Sequence, residues 1–361
     1  MIAFIMAAAL ALSTSESVPA PDPAASSAPP RPEQVLAIPD ALRQQLRTQV
    51  LARRVPPSER LNRLVHFMFD PAGLGMTYRE DATHTVAQAY ETRQANCLTF
   101  TLLAVALARE AGLDAYGQQI EETLAWRQEA NTIYLTNHVN AGVRAREQRL
   151  TVDVAWNTVM ARDPPEPISD ERLLAHYYNN RAAELMAEGR PAEGLAYAHL
   201  SLVLDPTYAT SWSNAGVLYL RDGDPVHAEQ SYLHALQLKP MHSGALFNLT
   251  SYYQRAGDTT RAARMQARLQ VVQSRDPFHH FLLATKYERQ GDHARAVDHY
   301  KRAIRLYSGE HRFHFGLARA YFQMGDTRRA GKALARAREL SEGDTRQLYQ
   351  AKLDILRRQS H

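Results

Sequence analysis

The chain has 361 residues, of which 45% are apolar, so it is long enough to form two folded domains with substantial cores. Its 42 Lys and Arg residues and 38 Asp and Glu residues give a net charge of +4, and the basic residues form no dense run, which argues against a nucleic-acid-binding protein. The single cysteine, Cys97, excludes an internal disulfide bond.

The N-terminal segment predicts export. Residues 2–12 form an apolar run of signal-peptide length that is too short to span a membrane, and small residues allow cleavage after Ala20. Residues 21–32 are rich in Pro, Ala and Ser and predict a disordered, extended tether. We therefore expect a signal peptide over residues 1–20 and a periplasmic or secreted protein with no stable membrane anchor. The alternative is a cytoplasmic protein, if the apolar run is not a signal.

Residues 33–165 predict an α+β domain. Helical spacing of the apolar residues indicates four helices, at residues 40–51, 58–69, 83–93 and 96–110. The apolar pattern then changes to a period of two, which indicates strands at residues 115–121, 133–143 and 149–155. Helices followed by an antiparallel sheet are typical of the α+β class.

The last of these predicted helices begins at the only thiol of the chain. Asn96 precedes Cys97 and an almost unbroken apolar stretch follows it, so we expect a buried helix whose N-terminus emerges at a surface. Unpaired backbone N–H groups and the helix dipole favour a thiolate in the first turn, and a thiolate is a nucleophile. His138 and Asp153 follow on two predicted strands. Cys, His and Asp in this order predict a thiol triad.

Each of the three residues also has a structural interpretation. Cys97 could be a small core residue, because cysteine is among the residue types that are most often buried. His138 could be a half-buried strand residue, and Asp153 could form a turn at the end of a strand. Their order and spacing favour a triad, because all three fall on elements that can bring them together.

These residues and their order resemble the transglutaminase-like branch of the papain-type thiol enzymes. The resemblance implies that the nucleophilic Cys97 opens a central helix, with His138 on one strand and Asp153 on the next. It implies catalysis through an acyl-enzyme, in which Cys97 attacks an amide, His138 transfers protons and Asp153 orients the imidazole.

Three outcomes of that resemblance stay open. Hydrolysis of the thioester would give a peptidase or amidase, whereas attack by an amine would give a transglutaminase. Some members of the superfamily keep the fold only as a binding module. The alternative function is therefore a non-catalytic scaffold or assembly factor.

The second half of the chain repeats with a period of 34 residues. Asp follows four of the five glycines that mark this period, and Ala lies five residues after the same four. The glycines are Gly189, Gly223, Gly257, Gly291 and Gly325. This pattern resembles the tetratricopeptide repeat, a helical hairpin of the same length. We expect an all-α solenoid of five repeats over residues 166–343 and a capping helix over residues 344–361.

The repeats offer a binding surface. Asn180, Asn214 and Asn248 occupy one equivalent position in the first three repeats. In tetratricopeptide arrays the first helices line the concave face, where Asn side chains can hydrogen-bond the backbone of an extended peptide. The alternative is that these side chains bridge neighbouring repeats. A row of arginines that begins at Arg221 is interpreted as a solvated helix end.

The sequence therefore predicts two domains: a transglutaminase-like domain at 33–165, connected through residues 163–167 to the repeats. The repeats would recruit a protein or an extended peptide on their concave surface, and Cys97 would act on an amide bond in it or nearby. No cofactor is implied. No metal site is predicted, because the histidines around His279 and His311 have no cysteine or carboxylate partners at ligand spacing.

Overall fold

In a computed structural model of the protein, the described residues are 28–52, 54–120, 126–129, 132–135, 138–145, 148–154 and 164–359. The predicted signal peptide and most of the predicted tether lie outside these residues. Among the helices of the described ranges, none is long and apolar enough to cross a membrane.

Five helices and a short pair of parallel strands begin the N-terminal domain. In chain order the elements are α1 (Pro32–Val35), α2 (Asp40–Gln49), α3 (Pro57–Phe69), β1 (Thr77–Tyr78), α4 (Val86–Thr92), β2 (Gln94–Ala95) and α5 (Cys97–Glu110). The four helices predicted from apolar spacing are confirmed as α2 to α5. α4 begins later than predicted because the Thr85 side chain accepts a hydrogen bond from the backbone N–H of Gln88 and caps the helix there.

α5 is the buried centre of this domain. Every residue from Leu98 to Ala108 is buried, as expected for a helix that is apolar on all sides. Gly112, at a φ of +71°, follows the end of the helix in the left-handed conformation that glycine adopts without strain.

An antiparallel sheet packs against α5. The remaining strands, in chain order, are β3 (Asp114–Ile120), β4 (Trp126–Glu129), β5 (Thr132–Leu135), β6 (His138–Ala145), β7 (Gln148–Val152) and β8 (Glu166–Pro167). Four of them form a sheet in the order β7-β6-β3-β8, while β4 and β5 pair as a separate hairpin. Strands β3 and β6 contact α5, so the sheet covers the central helix.

Three features of the strands differ from the sequence-based expectation. β7 ends at Val152, so Asp153 lies directly after a strand and not on it. The strand predicted at residues 133–143 is divided into β5 and β6, and His138 is the first residue of β6. Residues 166 and 167, predicted as linker and repeat, form the edge strand β8, which pairs with Gln118 and Gln119 of β3. Pro167 has no N–H to donate, and an edge strand tolerates this loss.

Five helical hairpins and a final helix follow. They comprise α6 (Asp170–Ala187), α7 (Pro191–Leu204), α8 (Ala209–Arg221), α9 (Pro225–Leu238), α10 (Ser243–Arg255), α11 (Thr259–Ser274), α12 (Pro277–Arg289), α13 (His293–Leu306), α14 (His311–Gln323), α15 (Thr327–Leu340) and α16 (Gly343–Gln359). The five glycines of the 34-residue period lie between the helices of each hairpin, at φ values from +76° to +88°. This confirms the predicted helical solenoid.

The turn of each later hairpin is completed by an aspartate. The Asp after the glycine accepts a hydrogen bond from a backbone N–H three residues on and so caps the second helix, as Asp224 does for His227. The helices of a hairpin also approach closely at small residues. A Cβ added to Gly216 would lie 2.5 Å from the buried ring of Tyr232, so the second hairpin requires glycine there.

The first repeat shares its core with the N-terminal domain. Four residues of α6 belong to the same buried apolar cluster as α5: Leu173, Leu174, Tyr177 and Tyr178. At the surface, Arg109 near the end of α5 makes two hydrogen bonds, of 2.7 and 2.8 Å, to the carboxylate of Asp170. The domain and the first hairpin therefore pack as one unit.

A buried imidazole joins three elements at this junction. His176 of α6 is 2% exposed, with Nε2 at 2.9 Å from Oε1 of Gln119 on β3 and Nδ1 at 2.9 Å from the hydroxyl of Tyr208, just before α8. A neutral ring satisfies both contacts, because Nε2–H donates to Gln119 while Nδ1 accepts from Tyr208. Burial lowers the pKa of His176 to about 3, and the positive charge of Arg172 acts in the same direction.

Candidate functional site

Cys97 is the first residue of α5 and is partly exposed. Asn96 caps this helix, since its side-chain oxygen accepts a 2.9 Å hydrogen bond from the backbone N–H of Thr99. Burial of the apolar residues that follow fixes the helix axis, and the cap fixes the residue at which the helix begins. The thiol therefore lies at a helix N-terminus, as predicted.

One hydroxyl links the first turn of α5 to the strand that carries His138. Thr101 Oγ1 lies 2.8 Å from the carbonyl oxygen of Cys97 and 3.2 Å from the carbonyl oxygen of Val139, and it donates toward both. Thr101 is buried. This contact holds β6 beside the start of α5, which brings His138 next to Cys97.

The structure places His138 and Asp153 in direct contact. His138 Nε2 lies 2.7 Å from Asp153 Oδ2, and the two side chains are 2% and 10% exposed. Nδ1 is the ring nitrogen that this contact does not use, and Cys97 lies close enough to the ring to raise the pKa of His138. The three residues of the predicted triad thus lie in the order thiol, imidazole, carboxylate.

Asn140 is a fourth polar residue of the site, and the sequence did not single it out. Its Nδ2 donates a 3.0 Å hydrogen bond to the same carboxylate oxygen of Asp153, and the residue is buried. Residues two apart on a strand point to the same face, so its position after His138 was the available signal. Asn140 and His138 together fix the orientation of the carboxylate.

The pKa of His138 is raised to about 9. Burial alone would lower this pKa, because it penalises the charged ring. The hydrogen bonds to Asp153 and Cys97, together with the negative charges of both, outweigh burial and stabilise the imidazolium. The raised pKa favours the protonated, cationic form of the ring at neutral pH.

A small pocket opens at these residues. Its cavity volume is about 10 Å³, which is room for about one water molecule. Cys97, Asn140 and Asp153 provide its polar wall. The remaining lining residues are mostly apolar: Met68, Phe100, Thr101, Val139, Val152 and Val154. Sites for whole small molecules measure roughly 300–1,000 Å³, so in this structure the pocket is an opening beside the thiol that is too small for a substrate side chain.

The three Asn residues of the predicted peptide surface lie on α6, α8 and α10, and all are half-buried. Asn214 Nδ2 donates a 2.9 Å hydrogen bond to Oδ1 of Asn179 in the preceding repeat. Asn214 therefore bridges neighbouring repeats, in agreement with the structural alternative for that position. In the arginine row, Arg221 donates a 3.0 Å hydrogen bond to the carbonyl oxygen of Met186, so it connects the end of α8 to the preceding repeat.

Within the described ranges, no group of three or more His, Cys, Asp or Glu side chains is placed to hold a metal ion. The histidines considered at the sequence level make other contacts. His280 Nε2 lies 3.2 Å from the carbonyl oxygen of Ser274, and His280 Nδ1 lies 3.2 Å from Nδ1 of His299. A neutral pair accounts for both distances, because each short contact then has one donor and one acceptor.

Comparison with protein families identifies the repeats. Two family models, both described as tetratricopeptide repeat, match residues 247–311 and 288–353. These matches cover α11 to α15 and extend into the neighbouring helices. Neither reaches residues 33–165, so the transglutaminase-like character of that region stays a prediction. No curated protein matches the chain.

Solved structures match over about half of the chain. MamA from Desulfovibrio magneticus RS-1, residue 41 to the end, is 19% identical and covers 48% of this chain and 96% of its own, with a TM-score of 0.27. YrrB, described as a TPR protein with an unusual peptide-binding site, is 18% identical. It covers 49% of this chain and 92% of its own, with a TM-score of 0.27. The pilF protein of Pseudomonas aeruginosa is 13% identical. It covers 52% of this chain and 94% of its own, with a TM-score of 0.29.

Proposed function

We propose that this protein binds a partner polypeptide on its repeat array. The observation that carries the proposal is the set of five helical hairpins in one phase, part of which matches tetratricopeptide-repeat models. Stacked hairpins of this kind form an extended surface that suits a protein or an extended peptide.

The Asn row is the proposed contact with the partner backbone. A carboxamide both donates and accepts hydrogen bonds, so it can match the alternating N–H and C=O groups of an extended chain. The bond from Asn214 to Asn179 uses one of its N–H groups and leaves the orientation of its carboxamide fixed. Asn180 and Asn248 lie at the equivalent positions of the adjacent repeats.

A displayed library of random 15-residue peptides, selected on the wild-type protein, provides a probe of stated chemistry. Peptides that bind the wild type should bind Asn180→Ala/Asn248→Ala about tenfold more weakly, because each lost hydrogen bond is worth about 0.5–1.5 kcal/mol. Gln237→Ala, an exposed change on the second helix of a hairpin, is the matched control and should bind normally. Equal affinity of the double variant and the control would exclude the Asn row as the contact.

A second candidate function is thiol-dependent acyl transfer at Cys97. The observation that favours it is the 2.7 Å contact between His138 and Asp153, whose carboxylate lines the same small pocket as Cys97. A thiol at a helix N-terminus, a nearby imidazole and a carboxylate that orients the imidazole are the three parts that an activated nucleophile requires. Recruitment by the repeats would then raise the local concentration of the amide substrate.

The chemistry of this candidate balances without a cofactor. The Cys97 sulfur forms a bond to the carbonyl carbon of an amide, the carbon–nitrogen bond breaks, and protonated His138 delivers its proton to the departing amine. Neutral His138 then accepts a proton from the water or amine that attacks the thioester, and Asp153 holds the ring in position during both proton transfers. Water then releases a carboxylic acid from the thioester, or a second amine takes the acyl group and forms a new amide.

Alkylation by iodoacetamide tests this second function, because Cys97 is the only thiol. At about pH 6, the wild type should react about tenfold faster than His138→Ala, since the variant loses the cation that pairs with the thiolate. Cys97→Ala controls for non-specific labelling. If wild type and His138→Ala share one pH–rate profile, the thiol function fails, and partner binding by the repeats is the remaining function.

A further inference from the structure

We propose that Thr83 and Glu184 are positioning residues for Cys97, and that they connect the thiol to the repeat array. This inference rests on the proposed thiol chemistry. Thr83 lies in the loop before α4, and Glu184 lies on α6, the first helix of the first repeat. Neither residue belongs to the pocket, so both would act through Asn96.

A series of contacts leads from Glu184 through Thr83 and Asn96 to the first turn of α5. The carboxylate of Glu184 lies beside Thr83, whose hydroxyl and backbone N–H partly offset the burial that raises the pKa of this carboxyl. The hydroxyl oxygen of Thr83 accepts a 2.7 Å hydrogen bond from Asn96 Nδ2. The other end of the Asn96 carboxamide accepts from the backbone N–H of Thr99 and caps α5.

These residues are buried where they contact the start of α5. Thr83, Asn96 and Thr99 are 1%, 5% and 0% exposed. In a buried site, a polar group that loses its partner is not compensated by solvent. Each member therefore has a single satisfied arrangement, and the Asn96 carboxamide cannot rotate without breaking two hydrogen bonds.

A second set of bonds holds the same loop against α5. Thr99 Oγ1 donates to the carbonyl oxygen of Ala82 at 2.8 Å and accepts from the backbone N–H of His84, also at 2.8 Å. Residues on both sides of Thr83 are thus attached to the first turn of the helix. The position of Thr83 relative to Cys97 is therefore fixed from two directions.

The geometry of the cap decides where the thiol points. Asn96 has an extended backbone, with φ of −86° and ψ of −178°, and Cys97 follows it directly as the first helical residue. Rotation of this cap would redirect the sulfur of Cys97 relative to His138. Because Glu184 belongs to the repeat array and is ion-paired with Arg181 on the same helix, a movement of α6 would reach the cap through Thr83.

The experiment measures the pH–rate profile of Cys97 alkylation by iodoacetamide in full-length variants. Thr83→Val removes the hydroxyl and keeps the shape, Thr83→Ser restores the hydroxyl, and Glu184→Ala removes the carboxylate. At about pH 6 we expect Thr83→Val and Glu184→Ala to react about threefold more slowly than wild type, a loss in the range of one helix cap. Thr83→Ser should react like wild type.

Glu193→Ala is the matched control, because Glu193 is also ion-paired with a nearby arginine in the first hairpin, Arg190. It should leave the profile unchanged. If Thr83→Val or Glu184→Ala has the same pH–rate profile as the wild type while His138→Ala reacts slowly, this inference is wrong and the thiol function is kept. Loss of the His138 dependence in the wild type itself overturns the thiol function and this inference with it. Circular dichroism of each variant establishes that the fold is kept.

Discussion

Acidification should destabilise the junction between the N-terminal domain and the first repeat. His176 is buried there as a neutral ring that donates to Gln119 and accepts from Tyr208. Burial lowers its pKa from 6.5 to about 3, whereas the unfolded chain binds the proton at its ordinary pKa. The stability from this residue is thus complete above pH 6.5 and is lost progressively as the pH falls toward 3.

The size of the effect follows from the width of that window. A pH of about 4.5 is about 2 units below the ordinary pKa of histidine. At this pH the ring is protonated in the unfolded chain and neutral in the folded protein. At 1.36 kcal/mol per unit, His176 alone accounts for about 2.7 kcal/mol of lost stability between neutral pH and about pH 4.5. That is a large part of the 5–15 kcal/mol that is typical of a folded domain.

Urea unfolding of wild type and His176→Gln, followed by circular dichroism and fluorescence, measures this contribution. Gln does not titrate, and all other titrating groups are shared, so they cancel in the difference between the two proteins. At about pH 7 the variant should be the less stable, because the Tyr208 hydroxyl loses its acceptor. The advantage of the wild type should fall by about 2.7 kcal/mol at about pH 4.5. A difference that stays constant within about 0.5 kcal/mol between the two pH values would refute the reasoning.

Three further outcomes are expected. Asp153→Asn should lower the pKa of His138 from about 9, because burial then acts with weaker opposition, and NMR titration of the ring reports the change. Leu102→Ala, at a fully buried position of α5, should reduce the free energy of unfolding by about 2–5 kcal/mol in urea titrations. Gly216→Ala should cost about 1–3 kcal/mol, since its Cβ would press on the Tyr232 ring, and an unchanged midpoint of thermal unfolding would contradict this.

The parts of the fold that could be predicted are those set by local patterns. α5 is apolar on all sides and follows a capping Asn, so both its burial and its first residue could be read from neighbouring positions. The hairpins repeat their turn glycine and capping aspartate every 34 residues, which makes each copy a check on the others.

Pairings between distant segments could not be predicted in the same way. Residues 166 and 167 have the composition of a linker, and only the unpaired edge of β3 makes them a strand. In the site, Cys97 and His138 could be predicted as neighbours because Cys97 begins a recognisable helix and His138 lies on a recognisable strand. The contact of Asn140 with Asp153 depends on the register of β6 against β7, which a single sequence does not specify.

The core shared by α6 and the N-terminal domain changes where this protein can be divided. A fragment that ends at residue 165 loses strand β8 and uncovers the apolar wall that α6 and α7 provide, so it should precipitate or remain unfolded. An N-terminal piece that keeps this core must extend at least through Leu204. The first hairpin is thus inseparable from the domain it completes, whereas the later hairpins contribute no residue to that core.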